Sequence, residues 1–261
     1  MEPTRSSLRS RRTAALAAVA AVAALAIPAT AGATVTPAIA GGTLTLTGDA
    51  TDDNIVLTDG SGADPQLKHN LPLGQNGIQS AFDFDPDPNT VTTLQADATV
   101  KVVVNVLGGN DTVNLSAATI DGAVIEGGDG DDVIVGSPVV DTIHGGPGND
   151  RLTGFRGNET IEGQDGNDVM IWNNGDGKDV DEGGDGVDEA LITTGAAADQ
   201  MKVSPLAGGR TFFERSNAPF TVDMGTVEKL SVTDTNSTLL VCQRLIRPTT
   251  SASERLRRSS L

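Results

Sequence analysis

Between Gly127 and Leu191 the chain repeats a nine-residue unit, glycine-glycine-x-glycine-x-aspartate-x-apolar-x. GGDGDDVIV from Gly127, GGPGNDRLT from Gly145 and GGDGVDEAL from Gly183 are complete, and GQDGNDVMI from Gly163 lacks only the second glycine. Weaker copies fill the gaps: GSPVVDTIH from Gly136, GFRGNETIE from Gly154 and NGDGKDVDE from Asn174, in frame apart from two extra residues, Trp172 and Asn173. Carboxylates recur at Asp132, Asp141, Asp150, Glu159, Asp168, Asp179 and Asp188, at intervals of 9, 9, 9, 9, 11 and 9. Turn preference explains why Asp and Gly are common in loops, but not why they keep phase. A fixed nonapeptide period predicts an all-β fold, a parallel β-roll or β-helix built from nonapeptide repeats with flanking β-rich segments.

The first six residues of each unit must turn tightly, with positive φ angles that glycine adopts without strain. Such a turn points backbone carbonyls and a carboxylate at one spot. A hard cation such as calcium takes six to eight oxygens of that kind, at roughly 2.3–2.6 Å and in forgiving geometry. The last three residues form a short strand with one inward side chain, here Ile134, Ile143, Leu152, Ile161, Met170 and Ala190. Two units make one coil, so alternate units share an edge. One edge carries Asp132, Asp150, Asp168 and Asp188 from strong units; the other carries Asp141, Glu159 and Asp179 from damaged ones. On the damaged edge Pro138 and Val139 break their unit, Phe155 and Arg156 replace small residues, and Asp181 takes an inward apolar position. Calcium is expected between successive strong turns, roughly three ions, with the other edge empty or weakly occupied. The shortened turn GGND at Gly108–Asp111 places Asp111 as the cap of the strong edge.

The repeats resemble the hemolysin-type calcium-binding repeats of RTX proteins, over about a quarter of the chain. The resemblance implies a parallel β-roll holding calcium between stacked turns. It assigns as ligands the carboxylates of Asp132, Asp150, Asp168 and Asp188, joined by Asp111, with turn residues Gly128, Gly130, Gly146, Gly148, Gly166 and Gly186 contributing carbonyls. The long toxin, protease or lipase domain that many family members carry does not accompany these repeats.

The formal charge of −17 understates the acidity of the repeats, because nine of the 18 basic residues precede residue 34 or follow residue 241. Residues 34–241 hold 33 acidic against nine basic residues. Segments of high charge and low apolar content order poorly on their own, so the calcium-free repeats are expected to be loosely folded until bound cations cancel the repulsion. The same charge excludes nucleic acid as a partner and disfavours acidic membranes. Residues 1–33 read as a signal peptide: an arginine-rich start, an apolar run from Thr13 to Ile27, and small-residue cleavage sites after Ala31 or Ala33. The run is shorter than the ~20 residues that span a bilayer, so no transmembrane segment is expected after cleavage. Ser10-Arg11-Arg12 leaves ordinary and twin-arginine export both open. The expected location is extracellular, secreted or at a bacterial cell surface, where even weak calcium sites fill. Cys242, the only cysteine, permits no internal disulfide, which leaves metal to staple the fold.

Residues 34–107 read as an N-terminal β-rich segment of the roll, with GTLTLTGDATDDNIVLTDG around a degenerate nonapeptide ending at Asp53, a loop excursion at 61–90, and a strong strand at Thr99–Val106. Residues 108–191 are the calcium-binding roll. Residues 192–240 read as the start of a second β module, because TGAAADQMKV echoes TGDATDDNIV and TVEKLSV echoes TVKVVVN. The sequence then changes character near Asp234, which suggests a broken reading frame and a disordered basic tail at 241–261. His69 and His144 share no spacing with an acid-base or metal site, and His144 reads as a solvated outward side chain. Trp172, inserted in the roll, reads as a core shield at a register break rather than a sugar platform. The expected function is that of a secreted, non-enzymatic calcium-binding protein with calcium-dependent folding and a structural or surface-interaction role. Two alternatives stand beside it: a calcium-dependent adhesin or matrix component whose partner lies on a cell surface, and the appendage of an RTX hydrolase.

Overall fold

The computed structural model describes residues 34–63, 65–74, 78–85, 87, 89–195, 201–215, 220–233 and 240–243. The signal expected at 1–33, the break expected near Asp234, the side chain of Cys242 and, of the tail expected at 241–261, all but 241–243 lie outside the described residues; 241–243 belong to a strand. In chain order the first strands are β1 (Thr36–Ala40), β2 (Thr43–Thr47), β3 (Asn54–Asp59), β4 (Leu67–His69), β5 (Lys101–Asn105), β6 (Thr112–Ala117) and β7 (Ala123–Glu126). Through the repeats run β8 (Val133–Val135), β9 (Thr142–Pro147), β10 (Arg151–Thr153), β11 (Thr160–Gly166), β12 (Val169–Asn173), β13 (Asp179–Gly186) and β14 (Glu189–Thr193). After them come β15 (Met201–Pro205), β16 (Thr211–Arg215), β17 (Phe220–Gly225), β18 (Lys229–Thr233) and β19 (Leu240–Gln243).

From β4 to β15 successive strands alternate between two sheets, as a coil of two units requires. One sheet has the order β1-β2-β5-β7-β9-β11-β13-β17-β16-β15, the other β19-β18-β14-β12-β10-β8-β6-β3-β4. Every neighbouring pair from β2 to β17 and from β3 to β18 is parallel, and the strands outside those limits pair antiparallel. The fold is therefore the all-β parallel roll read from the repeat period.

Register follows the inward apolar position. Ile134, Leu152, Met170 and Ala190 pair in sequence across one sheet, flanked by Val113 and Leu230; Ile125, Ile143 and Ile161 pair across the other. All are buried. Full burial of such a side chain stabilises by about 1.5–3 kcal/mol, but only if the neighbouring coil is present to cover it, so the core exists as a stack or not at all. The second column is interrupted where the sequence places Asp181 between Ile161 and Met224.

Insertions leave the coil without disturbing its register. The two extra residues lengthen the step from Val169 to its partner Glu189 to 20 residues, against 18 from Arg151 to Val169. Trp172 turns inward and is buried, stacked on Phe220 with ring centroids 3.8 Å apart, as a core shield should be. The excursion at 61–90 contributes β4 to the edge of the second sheet and buries Leu67, Ile78 and Phe84. Residues 192–240 contribute β15–β17 to the first sheet and β18 to the second, and β19 pairs with β18.

Candidate metal centre

The strong edge is a column of buried carboxylates joined through their own backbone. The amide of Asp111 donates to Oδ1 of Asp132 (2.7 Å), that of Asp132 to Asp150 (2.8 Å), that of Asp150 to Asp168 (2.8 Å) and that of Asp168 to Asp188 (2.9 Å). Each side chain thus spends one oxygen holding the preceding coil in register. The other oxygen, Oδ2 of Asp111, Asp132, Asp150, Asp168 and Asp188, is buried with no hydrogen-bond partner among the described residues. Such an atom costs about 1–3 kcal/mol, and more when charged, unless something else coordinates it.

The glycines set the other wall. Gly130, Gly148, Gly166 and Gly186 stack so that a Cβ on any one would strike the carbonyl of the glycine one coil earlier, Gly109, Gly130, Gly148 and Gly166 respectively. Gly128 and Gly146 are packed in the same way against the carbonyls of Leu107 and Gly128. Their φ values, 94° to 153° among these six, are ones that side chains rarely tolerate. All eleven residues singled out in the sequence lie in the turns stacked along one edge, and the partnerless Oδ2 atoms of Asp132, Asp150, Asp168 and Asp188 face Gly127, Gly145, Gly163 and Gly183, the first glycines of their units, which are not among those eleven.

Residues 123–138 and 139–170 match, in four copies, the family model of the RTX calcium-binding nonapeptide repeat. Residues 123–170 are RTX repeats. The comparison with curated proteins found no match. With the parallel coil around them, the RTX repeats make this a calcium-binding β-roll protein. The donor set fits that ion: oxygens only, one carboxylate per turn, and buried oxygens left without partners.

Burial is also what sets the titration of these groups. It raises Asp111 and Asp150 to about 7 and Asp132 and Asp188 to about 6, against the pull of the amide each accepts, and it raises Asp168 as well. In the cation-free roll the column keeps protons that an exposed aspartate gives up.

The opposite edge of the RTX coil is built differently. Both oxygens of Asp141 are engaged, by the amide of Ser137 (2.5 Å), its hydroxyl (2.8 Å) and the amide of Ala123 (2.7 Å), so Asp141 keeps no oxygen without a donor. Glu159 has two buried oxygens without partners and faces Asp179, one coil on; burial and that neighbour hold Glu159 protonated well above the ordinary range. Asp181, buried in the core column, is pushed up by burial too.

Sequence reasoning missed several residues here. Asp111 was expected to cap the strong edge, yet the amide of Asp53 donates to its Oδ1 (2.6 Å), and at the far end the amide of Asp188 donates to Glu228 (2.9 Å). Glu228 lies 40 residues from Asp188, beyond an inserted hairpin, so no period could point to it. A second, exposed ladder runs beside the first: the amides of Asn110, Asp131, Asn149, Asn167 and Val187 donate in turn to Asp52, Asn110, Asp131, Asn149 and Asn167. Its signal was present as the Asn or Asp before Asp111, Asp132, Asp150 and Asp168; Val187, before Asp188, contributes only its amide. His144 is not the solvated side chain expected: its Nδ1 lies 2.9 Å from Glu126 and its Nε2 3.7 Å from Glu162, on the two flanking strands, because identical register puts the three on one outer row. His69 is buried, with Nε2 2.9 Å from the Asp83 carbonyl and Nδ1 accepting from the Leu71 amide at 3.1 Å.

Proposed function

We propose that this chain is an exported, non-enzymatic protein whose roll becomes rigid when calcium fills the strong edge. The side chains of Asp111, Asp132, Asp150, Asp168 and Asp188, with carbonyls of Gly128, Gly130, Gly146, Gly148, Gly166 and Gly186, hold roughly three ions. The observation that carries this reading is the row of partnerless buried oxygens in phase with the stacked glycines. Calcium supplies the charge that cancels the repulsion along the column, and the residues supply its register through the amide-to-carboxylate chain. Binding only to the folded state stabilises it by RT ln(1 + [L]/Kd), about 2.7 kcal/mol per site at a hundredfold excess over Kd. Export supports the reading chemically, since calcium outside the cytosol is abundant enough to fill sites of about 10⁻⁴–10⁻³ M. Among the described residues no helix is long and apolar enough to cross a membrane. Circular dichroism of the full chain during calcium titration tests the proposal. A gain of strand signal at millimolar calcium but not magnesium is expected; an unchanged spectrum with no bound calcium overturns it.

A further inference from the structure

The outer faces of the two sheets carry very different charge. On the first, Glu126, His144, Glu162 and Glu182 share one outer row and Asp223 stands in the next. On the second, the side chains opposite the buried column from Ile134 to Ala190 include Val133 and Val135 of β8, Val169 and Ile171 of β12 and Leu191 of β14. Arg151 and Glu189 are the only outward charges of that sheet from β8 to β14. Beside β10, β12 and β14 the exposed turn ladder is Asn149, Asn167 and Val187, uncharged as well, and Val133 and Val187 are 42 % and 63 % exposed. A chain with 33 acidic and nine basic residues between 34 and 241 repels a copy of itself across any acid-bearing surface. This face escapes that repulsion and offers apolar area to remove from water. Its two charges are also self-complementary. Arg151, Val169 and Glu189 are register partners on adjacent strands, so the charges stand one strand to either side of Val169. A two-fold axis along β12 lays Arg151 of each copy over Glu189 of the other, and Ile171 over Ile171. Glu189 already takes Lys229 from the next strand of its own chain, whereas the Arg151 guanidinium has no partner among the described residues.

We propose that this face joins two copies of the chain in an isologous dimer, the sheets stacked about 10 Å apart through Val169, Ile171 and Leu191, with Arg151 and Glu189 paired across the axis. The dimer requires the folded roll but no particular number of ions. Because the axis runs along the strands, the strong edges of both copies lie on the same side of the dimer.

Sedimentation velocity of the full chain over a range of concentrations reads the association, in saturating calcium and with a thiol reductant so that Cys242 cannot cross-link copies. Wild type is expected to pass from monomer to dimer, and to do so in high salt as well, because the contact is mainly apolar. Ile171→Lys sets two like charges on the axis at an outward, half-buried position. It should raise the dissociation constant at least about a hundredfold with the circular dichroism spectrum unchanged. Arg151→Glu should weaken the dimer, and combining it with Glu189→Arg should restore it, which a merely sticky face would not do. A wild type that stays monomeric while folding with calcium overturns the dimer and leaves the calcium reading intact. Growth beyond two copies, dispersal by high salt, or indifference to Ile171→Lys also overturns it. Should Ile171→Lys not fold, Arg151→Glu at its exposed position decides, and unchanged association there sinks the proposal.

Discussion

The amide of Asp132 donates to one oxygen of Asp150, 2.8 Å away and 18 residues on, while the other oxygen of Asp150 lies buried without a donor among the described residues. One bond of this kind sets the spacing of two coils and at the same time leaves between them a buried oxygen without a donor, which a proton or a cation can satisfy.

Asp150→Asn keeps the acceptor for the Asp132 amide but removes the charge. The roll should still form, while the calcium midpoint rises by about tenfold, equivalent to about 1.4 kcal/mol, since ligand charge tunes such sites. Isothermal titration reads this directly, and an unchanged midpoint would remove Asp150 from the ligand set.

Gly148→Ala is predicted to be among the most damaging small substitutions. Its φ of 153° and the Gly130 carbonyl facing its Cα leave no room for a methyl group, and the neighbour is backbone that cannot swing away. A loss of at least about 3 kcal/mol is expected from strain and overpacking together, seen in denaturant melts at saturating calcium. The converse holds at Gln164, which takes the second-glycine place with φ 80°. Left-handed geometry costs a side chain roughly 1–2 kcal/mol and glycine costs about 0.5–1 kcal/mol in unfolded-chain entropy, so Gln164→Gly should stabilise by about 0.5–1 kcal/mol.

Without calcium, stability should fall as pH rises from about 4 to about 7. Asp111, Asp132, Asp150 and Asp188 have folded pKa values raised above the unfolded value of 3.8, so the folded state binds more protons than the unfolded one in that window. Their contribution is complete below 3.8 and lost as pH climbs through the folded values. His69 acts in the opposite sense. Burial lowers it from 6.5, and it accepts the Leu71 amide only when neutral, so its contribution is present above 6.5 and lost as pH falls through its folded value. One lowered group against several raised carboxyls leaves the net slope downward with pH. Thermal melts in chelator at pH 5 and pH 8 should show the higher midpoint at pH 5, and millimolar calcium should abolish or reverse the difference.

Chelation should also be visible at Trp172, the only tryptophan. It is buried, stacked on Phe220, and donates from Nε1 to the Gly177 carbonyl at 3.3 Å. Removing calcium is predicted to shift its emission to the red as water reaches the ring; an unmoved maximum would mean that the core around Trp172 stands without the metal.

The nonapeptide by itself determined the fold class, the inward row from Ile134 to Ala190, and the sorting of aspartates onto two edges, because each of those depends only on phase and on which residues tolerate a left-handed turn. It also marked, through Pro138 and Phe155, the edge expected to hold calcium weakly or not at all. What it did not determine is where the column ends. Asp53 and Glu228 join it across 58 and 40 residues, distances fixed by the insertions that the stack expels rather than by any period. Nor did it show why Asp141 differs from Asp150. That follows from Ser137, which satisfies one carboxylate with its own hydroxyl while the strong units leave theirs open. Periodicity is a local property and legible in one dimension; whether a buried oxygen has a partner depends on what the next coil places beside it, and only the folded stack decides that.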